Sequence, residues 1–185
     1  MLTAAQLVKQ ITNTIGKSRV TELSKLLKAQ NFSLRELTDL TLHHDKAIAF
    51  RAAWLLENVF LADALAYVND MDYIIQQITA INNASCQRHY AKILMHITSP
   101  KTPKIIQDKL ANIDLEPATE QLFDWLINPK VKIAVKSFAA EALFNMRTRY
   151  PWIAEELTNQ LHYLMRNGTA AMQSRGKKLL KGLAK

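Results

Sequence analysis

Five histidines, three tryptophans and one cysteine are the residues of this 185-residue chain whose types could carry chemistry. Their spacing argues against most of it. His43 and His44 are adjacent, and neighbouring side chains on a helix point about 100° apart, a poor geometry for one shared metal. His89 and His96 stand seven residues apart, about 10 Å along an axis rising 1.5 Å per residue. With His162, all five read as surface or partly buried imidazoles. Cys86 is alone, so no disulfide forms within the chain, and the expected compartment is the reducing cytoplasm. It reads as a small buried hydrophobe. The glycines Gly16, Gly168, Gly176 and Gly182 never cluster as a phosphate cradle requires. No Cys/His set has structural zinc spacing, and no nucleophile elbow is present. The expectation is a protein with no cofactor, no metal, no small-molecule substrate and no catalytic centre.

Tryptophan and cationic residues leave more open. Trp125 and Trp152 read as core packing, although Asp124 and Trp125 could line a groove. The charge is uneven. The chain carries +8, yet residues 1–129 are balanced, so the whole excess falls in residues 130–185. Lys130, Lys132, Lys136, Arg147 and Arg149 form one group, and Arg175, Lys177, Lys178 and Lys181 another. Brought side by side they would attract phosphates or acidic proteins. Dispersed, they would be a solvated face.

The elements that must position these residues are helices. Ala4, Leu7, Val8, Ile11 and Ile15 share a helical face, as do Ile74, Ile75, Ile78 and Ile81. Thr3-x-x-Gln6 and Ser33-x-x-Glu36 have the capping-box pattern. Thr102-Pro103 and Asn128-Pro129 place a cap residue before proline, Pro117 and Pro151 mark further starts, and Gly16 and Gly168 suit a left-handed stop. The spacing predicts helices near 3–15, 18–30, 33–43, 46–60, 70–82, 84–98, 102–112, 118–127, 130–148, 151–166 and 169–183. Short connections make neighbours antiparallel hairpins. The N-terminal "MLTAAQLVKQITNTI" is amphipathic rather than a secretion signal, and "VFLADALAYV" is too short to span a bilayer, so a membrane role is not expected.

One frame recurs along these helices. "AAWLLENV" (52–59) reappears as "YAKILMHI" (90–97), "AAEALFNM" (139–146) and "GKKLLKGL" (176–183), at spacings of 38, 49 and 37 residues. Its columns are apolar: Ile48, Cys86, Val135 and Met172; Leu55, Ile93, Ala142 and Leu179; Leu56, Leu94, Leu143 and Leu180; Val59, Ile97, Met146 and Leu183. Ala53, Ala91 and Ala140 supply small residues for close approach, with Lys177 departing from the pattern. The column of Trp54, Lys92, Glu141 and Lys178 is polar, placing Trp54 towards solvent or an inner surface. An exposed tryptophan there is a reasonable partner contact.

These columns resemble the HEAT-like, armadillo-type helical repeats, whose units run to about 40–47 residues. The resemblance implies an all-α, α-α superhelix of about four to five antiparallel helix pairs in one domain over 1–185. Residues 3–30 would form an N-terminal pair, 33–60, 70–98, 118–148 and 151–183 the repeats, and 102–112 an extra helix. It also implies a non-catalytic scaffold that binds another protein, and the polar column and the basic last third offer Trp54, Lys92 and the basic residues as contacts. An alternative is nucleic-acid binding through the basic 130–185 surface, by analogy with HEAT-like DNA alkylation repair glycosylases. No catalytic motif of that group can be placed residue by residue on Trp54, Asp124 or Trp125.

Overall fold

The computed structural model describes residues 2–184. Among them there is no strand, and eleven α-helices follow one another: α1 (Ala4–Ile11), α2 (Lys17–Ala29), α3 (Leu34–Asp39), α4 (Lys46–Ala62), α5 (Met71–Gln76), α6 (Ala84–Ile97), α7 (Lys104–Ala111), α8 (Glu116–Ile127), α9 (Ile133–Met146), α10 (Trp152–Arg166) and α11 (Ala170–Leu183). Tight 3-10 turns at Leu40–Leu42 and Gln77–Ala80 extend α3 and α5, and a third, Val68–Asp70, leads into α5.

The four helices that carry the repeated frame, α4, α6, α9 and α11, stack one on the next, and α3, α8 and α10 pack against α4, α9 and α11 in turn. The sequence columns are the reason. Ile48, Cys86, Val135 and Met172 are all buried, as are Leu55, Ile93, Ala142 and Leu179. Ala53, Ala91 and Ala140 are buried as well, small residues on helices that stack on one another. Fully burying one such aliphatic residue is worth about 1.5–3 kcal/mol, so the repeated columns drive the stacking. They belong to one core that runs from Leu7 to Leu179, making the chain a helical solenoid.

Several helix ends fall differently from the expected ones, each for a local reason. α1 stops at Ile11 instead of continuing to 15 because Arg51 of α4 donates to the carbonyls of Ile11 and Thr12, at 2.8 Å each, and closes the helix end. Pro103, not Thr102, is the N-cap of α7. α9 begins at Ile133 because the Asn128 side chain accepts from the Lys130 amide at 2.9 Å, making a turn of residues expected to be helical. The Thr3–Gln6 capping box is formed in both directions, and Ser33 accepts from the Glu36 amide.

Neither Gly16 nor Gly168 makes a left-handed stop. Asn31 does, with φ 49°. It ends α2 by placing the Phe32 amide on the Leu27 carbonyl and its own amide on that of Lys28. Gly16 instead precedes α2 in extended backbone.

Candidate functional site

On the side opposite the covering helices, the stacked frame helices expose a polar row. Its centre is a cavity of about 600 Å3 lined by Phe50, Trp54, Glu57 and Asn58 of α4, residues 84, 85, 88, 89 and 92 of α6, residues 134 and 135 of α9, and the flanking Lys17 and Lys132. Local structure positions these groups. Asn83 caps α6 by accepting from the Ser85 amide at 3.0 Å, while its own amide donates to the Lys46 carbonyl at 2.9 Å. That pair of bonds ties the start of α6, with Arg88 one turn in, to the start of α4.

The cavity floor is a charged network. Glu57 is buried, with one carboxylate oxygen 2.6 Å from His89 Nδ1 and the other bonded by Lys92 Nζ. Burial opposes ionisation of Glu57, but the bonds from His89 and Lys92 outweigh it and hold the carboxyl below its ordinary range. A carboxylate only accepts, so His89 Nδ1 carries the proton in this bond. Above the floor, Phe50 and Trp54 stack with ring centroids 5.9 Å apart, and Phe50 leans on His89 at 5.6 Å. The aromatic wall is half-buried on one edge and open to the cavity on the other.

Charge at the rim is one-sided. Lys17, Arg88 and Lys132 are exposed and form no salt bridge with a described residue. Among the described residues Glu57 is the only carboxylate lining the cavity, and both its oxygens are engaged. Further along the row, Arg175 of α11 pairs with Glu141 of α9, and Lys178 stands exposed beside them around a second cavity of about 390 Å3.

The structure thus brings together Trp54, Lys92 and Lys132 around one cavity and places Arg175 and Lys178 at the next. It does not gather the other basic residues of the last third. Lys136 faces inward and is 5% exposed, because its column in the repeated frame is that of buried Ala49 and Gln87. Arg147 folds over the Phe144 ring at 3.8 Å and donates to the Phe144 carbonyl. Arg149 donates to the carbonyls of Leu110 and Ile113 at the end of α7. Lys130 and Lys181 are exposed and line neither cavity.

Among the aromatic residues and histidines, Trp125 is as expected, and three other expectations are corrected. Trp125 is buried, and with Asp124 it borders a groove reaching Gln87 and Asn128. Trp152, expected in the core, is 42% exposed and only leans on Phe123 at 5.3 Å, because it is the first residue of α10. His89, expected at the surface or partly buried, is buried on Glu57. His43 and His44 follow the 3-10 turn rather than lying on a helix, so their rings stack at 4.2 Å instead of diverging.

Lys17, Phe50, Glu57, Ser85 and Arg88 are members of the cavity that residue patterns did not single out, and His89 was read only as a surface or partly buried imidazole. Glu57 carried no clear signal: its frame column also holds Met95, Phe144 and the exposed Lys181, so an acid there reads as a surface residue. Among the described residues no group of histidine, cysteine or carboxylate side chains could hold a metal. No described helix is long and apolar enough to cross a membrane.

A family model of the HEAT repeat domain matches residues 7–183 of the chain. No curated protein and no solved structure matches it.

Proposed function

From the premise that this chain belongs to the HEAT repeat family, we propose that it is a non-catalytic scaffold that docks an acidic segment of a partner protein along the polar row of α4, α6, α9 and α11. Repeats of this family commonly mediate protein–protein interaction and are typically non-catalytic. The observation that carries the reading is the imbalance around the central cavity: Lys17, Arg88 and Lys132 have no described acidic partner, beside an aromatic wall of Phe50 and Trp54. Lys178 extends the same sign along the row. Aromatic anchors among unpaired charges supply contact area and specificity together.

Duplex nucleic acid is the competing partner, and the fate of the last third weighs against it. Of the cations that would have contacted phosphates, Lys136 is buried, and the guanidinium groups of Arg147 and Arg149 are taken up by backbone carbonyls. The remaining positive groups are interleaved with Glu57 and Glu141 rather than forming a continuous track.

Fluorescence anisotropy with a labelled Asp/Glu-rich peptide, its Lys-rich counterpart and a short DNA duplex, each across a salt series, tests the reading. The acidic peptide should bind, weaken with salt, and lose affinity with Arg88→Ala/Lys132→Ala. Duplex binding tighter than the acidic peptide, with a steep salt slope, would establish the competing partner instead. No peptide binding at low salt would remove the proposal.

A further inference from the structure

The central cavity is more particular than a docking face requires. We propose that it is a binding site for a phosphate monoester carried on a planar ring. The proposal shares Arg88 and Lys132 with the docking face but does not depend on an acidic partner segment.

The charge sets the anion. Lys17, Arg88 and Lys132 surround the opening without an acidic partner among the described residues, while Lys92 is held by Glu57. A single carboxylate would leave two of these three cations unanswered. A phosphate monoester carries about −1.5 to −2 at neutral pH and offers three acceptor oxygens, one for each rim cation. The Ser85 hydroxyl lines the same space and adds a donor. Glu57 does not oppose the anion, because His89 and Lys92 occupy both of its oxygens. The starts of α2 and α9, both without a side-chain cap bond, also border the cavity at Lys17 and Lys132. Their partial positive charge reinforces the rim without making the site.

The shape sets the ring. A space of about 600 Å3 is far more than one phosphoryl group fills and falls in the ordinary range for small-ligand sites. The surplus lies against Phe50 and Trp54, whose rings are inclined by only 27° and present one aromatic wall. Asn58 bonds the Trp54 carbonyl at 2.8 Å, stiffening the α4 turn that carries the wall. A planar ring stacked on Trp54 would bring its phosphate to the cationic rim on the α6 and α9 side. Two sources of such a ligand are a free nucleoside monophosphate and a phosphorylated tyrosine.

Four probes separate these terms: adenosine monophosphate, phenyl phosphate, adenosine and inorganic phosphate. The readout is tryptophan emission, with Trp54→Phe as the control that should abolish the response. Isothermal calorimetry on the unaltered chain provides a second measurement should that variant fold poorly. At least one ring phosphate should bind saturably, about tenfold or more tighter than adenosine or phosphate alone. Arg88→Gln/Lys132→Gln should weaken that binding about tenfold or more while the thermal unfolding midpoint stays unchanged. Stronger binding of adenosine monophosphate identifies the nucleotide source, and stronger binding of phenyl phosphate the phosphotyrosine source. The site does not exist if neither ring phosphate binds at millimolar concentration, if adenosine binds as well as its phosphate, or if the double variant binds undiminished. Acidic-peptide binding without ring-phosphate binding would sink this inference alone. The reverse pattern would sink only the docking proposal.

Discussion

Glu57 of α4 and His89 of α6 meet at 2.6 Å across the seam between two stacked frame helices, and both are buried. Lys92, one turn further along α6, bonds the other carboxylate oxygen. Every ionised group of this cluster is answered, so the seam tolerates charge where its neighbours are Leu55, Leu56 and Ile93. A buried pair of this kind need not exceed a hydrophobic substitute in stability, but removing one member strands the others.

Glu57→Ala should therefore destabilise by about 3 kcal/mol, lowering the thermal midpoint by roughly 10 °C in a chain of this size. Thermal unfolding followed by circular dichroism measures it. The pH dependence has a definite sign. The folded pKa of Glu57 lies below its ordinary 4.5, so its contribution is fully present above that value and is lost as pH falls through the lower folded one. Glu57→Gln should be less stable than the parent at neutral pH and converge with it in acid. A constant stability difference down to the lower pH range would contradict the assignment.

Arg149 makes the second structural link that charge counting hides. Its guanidinium donates to the Leu110 carbonyl at 2.7 Å and the Ile113 carbonyl at 2.6 Å, fastening the α7–α8 connection to the end of α9. Arg149→Ala leaves the carbonyls ending α7 without these partners and should cost about 1–3 kcal/mol. Hydrogen exchange should quicken in Lys104–Ala111, with acidic-peptide affinity unchanged. Lys cannot span both carbonyls with the same planar fork, so Arg149→Lys should recover only part of the loss.

Much of this architecture was legible because burial repeats with the frame. The columns through Leu55 and Leu56 recur in each copy, and each copy became one stacked helix. What the frame does not encode is how a side chain off the apolar columns is used. Asn58 and Asn145 occupy the same frame position, yet Asn58 bonds back to Trp54 of its own helix, while Asn145 reaches the Met95 carbonyl and Thr98 hydroxyl at the end of α6. The cavity shows the same limit. Lys17 and Lys132 belong to segments far apart in the chain and to no shared column, so only the packing of α2 and α9 around α4 and α6 brings them to one opening. Arg147 and Lys136 failed as surface residues for the converse reason, since a net charge counts cations without reporting which way they point.

Cys86 tests the buried-column reading chemically. It sits in the column of Ile48 and Val135, fully buried, and burial pushes its thiol up to about 12. Only the thiolate attacks disulfides or alkylating agents, and native Cys86 has neither the thiolate nor the access. A disulfide reagent at pH 8 should modify the native chain negligibly over minutes and titrate the thiol fully in denaturant. Rapid native modification would mean that the α4–α6 seam opens readily.

Lys136 offers the opposite test, a charge whose removal should help. It lies 5% exposed on α9, burial lowers its pKa, and no described acceptor bonds its ammonium. A partly desolvated ammonium without a protein partner opposes folding, whereas its four-carbon stem packs as an apolar chain. Lys136→Met keeps the stem volume and deletes the charge. Stability should rise by about 1 kcal/mol at neutral pH, or a few degrees in the thermal midpoint. The sign again separates explanations. The folded pKa of Lys136 is depressed, so its penalty is fully present below that value and fades as pH rises through it to the unfolded value. The advantage of Lys136→Met should consequently shrink at alkaline pH. A loss of stability at neutral pH would instead mean that the ammonium reaches a partner in solution, and would return Lys136 to the basic surface expected of residues 130–185.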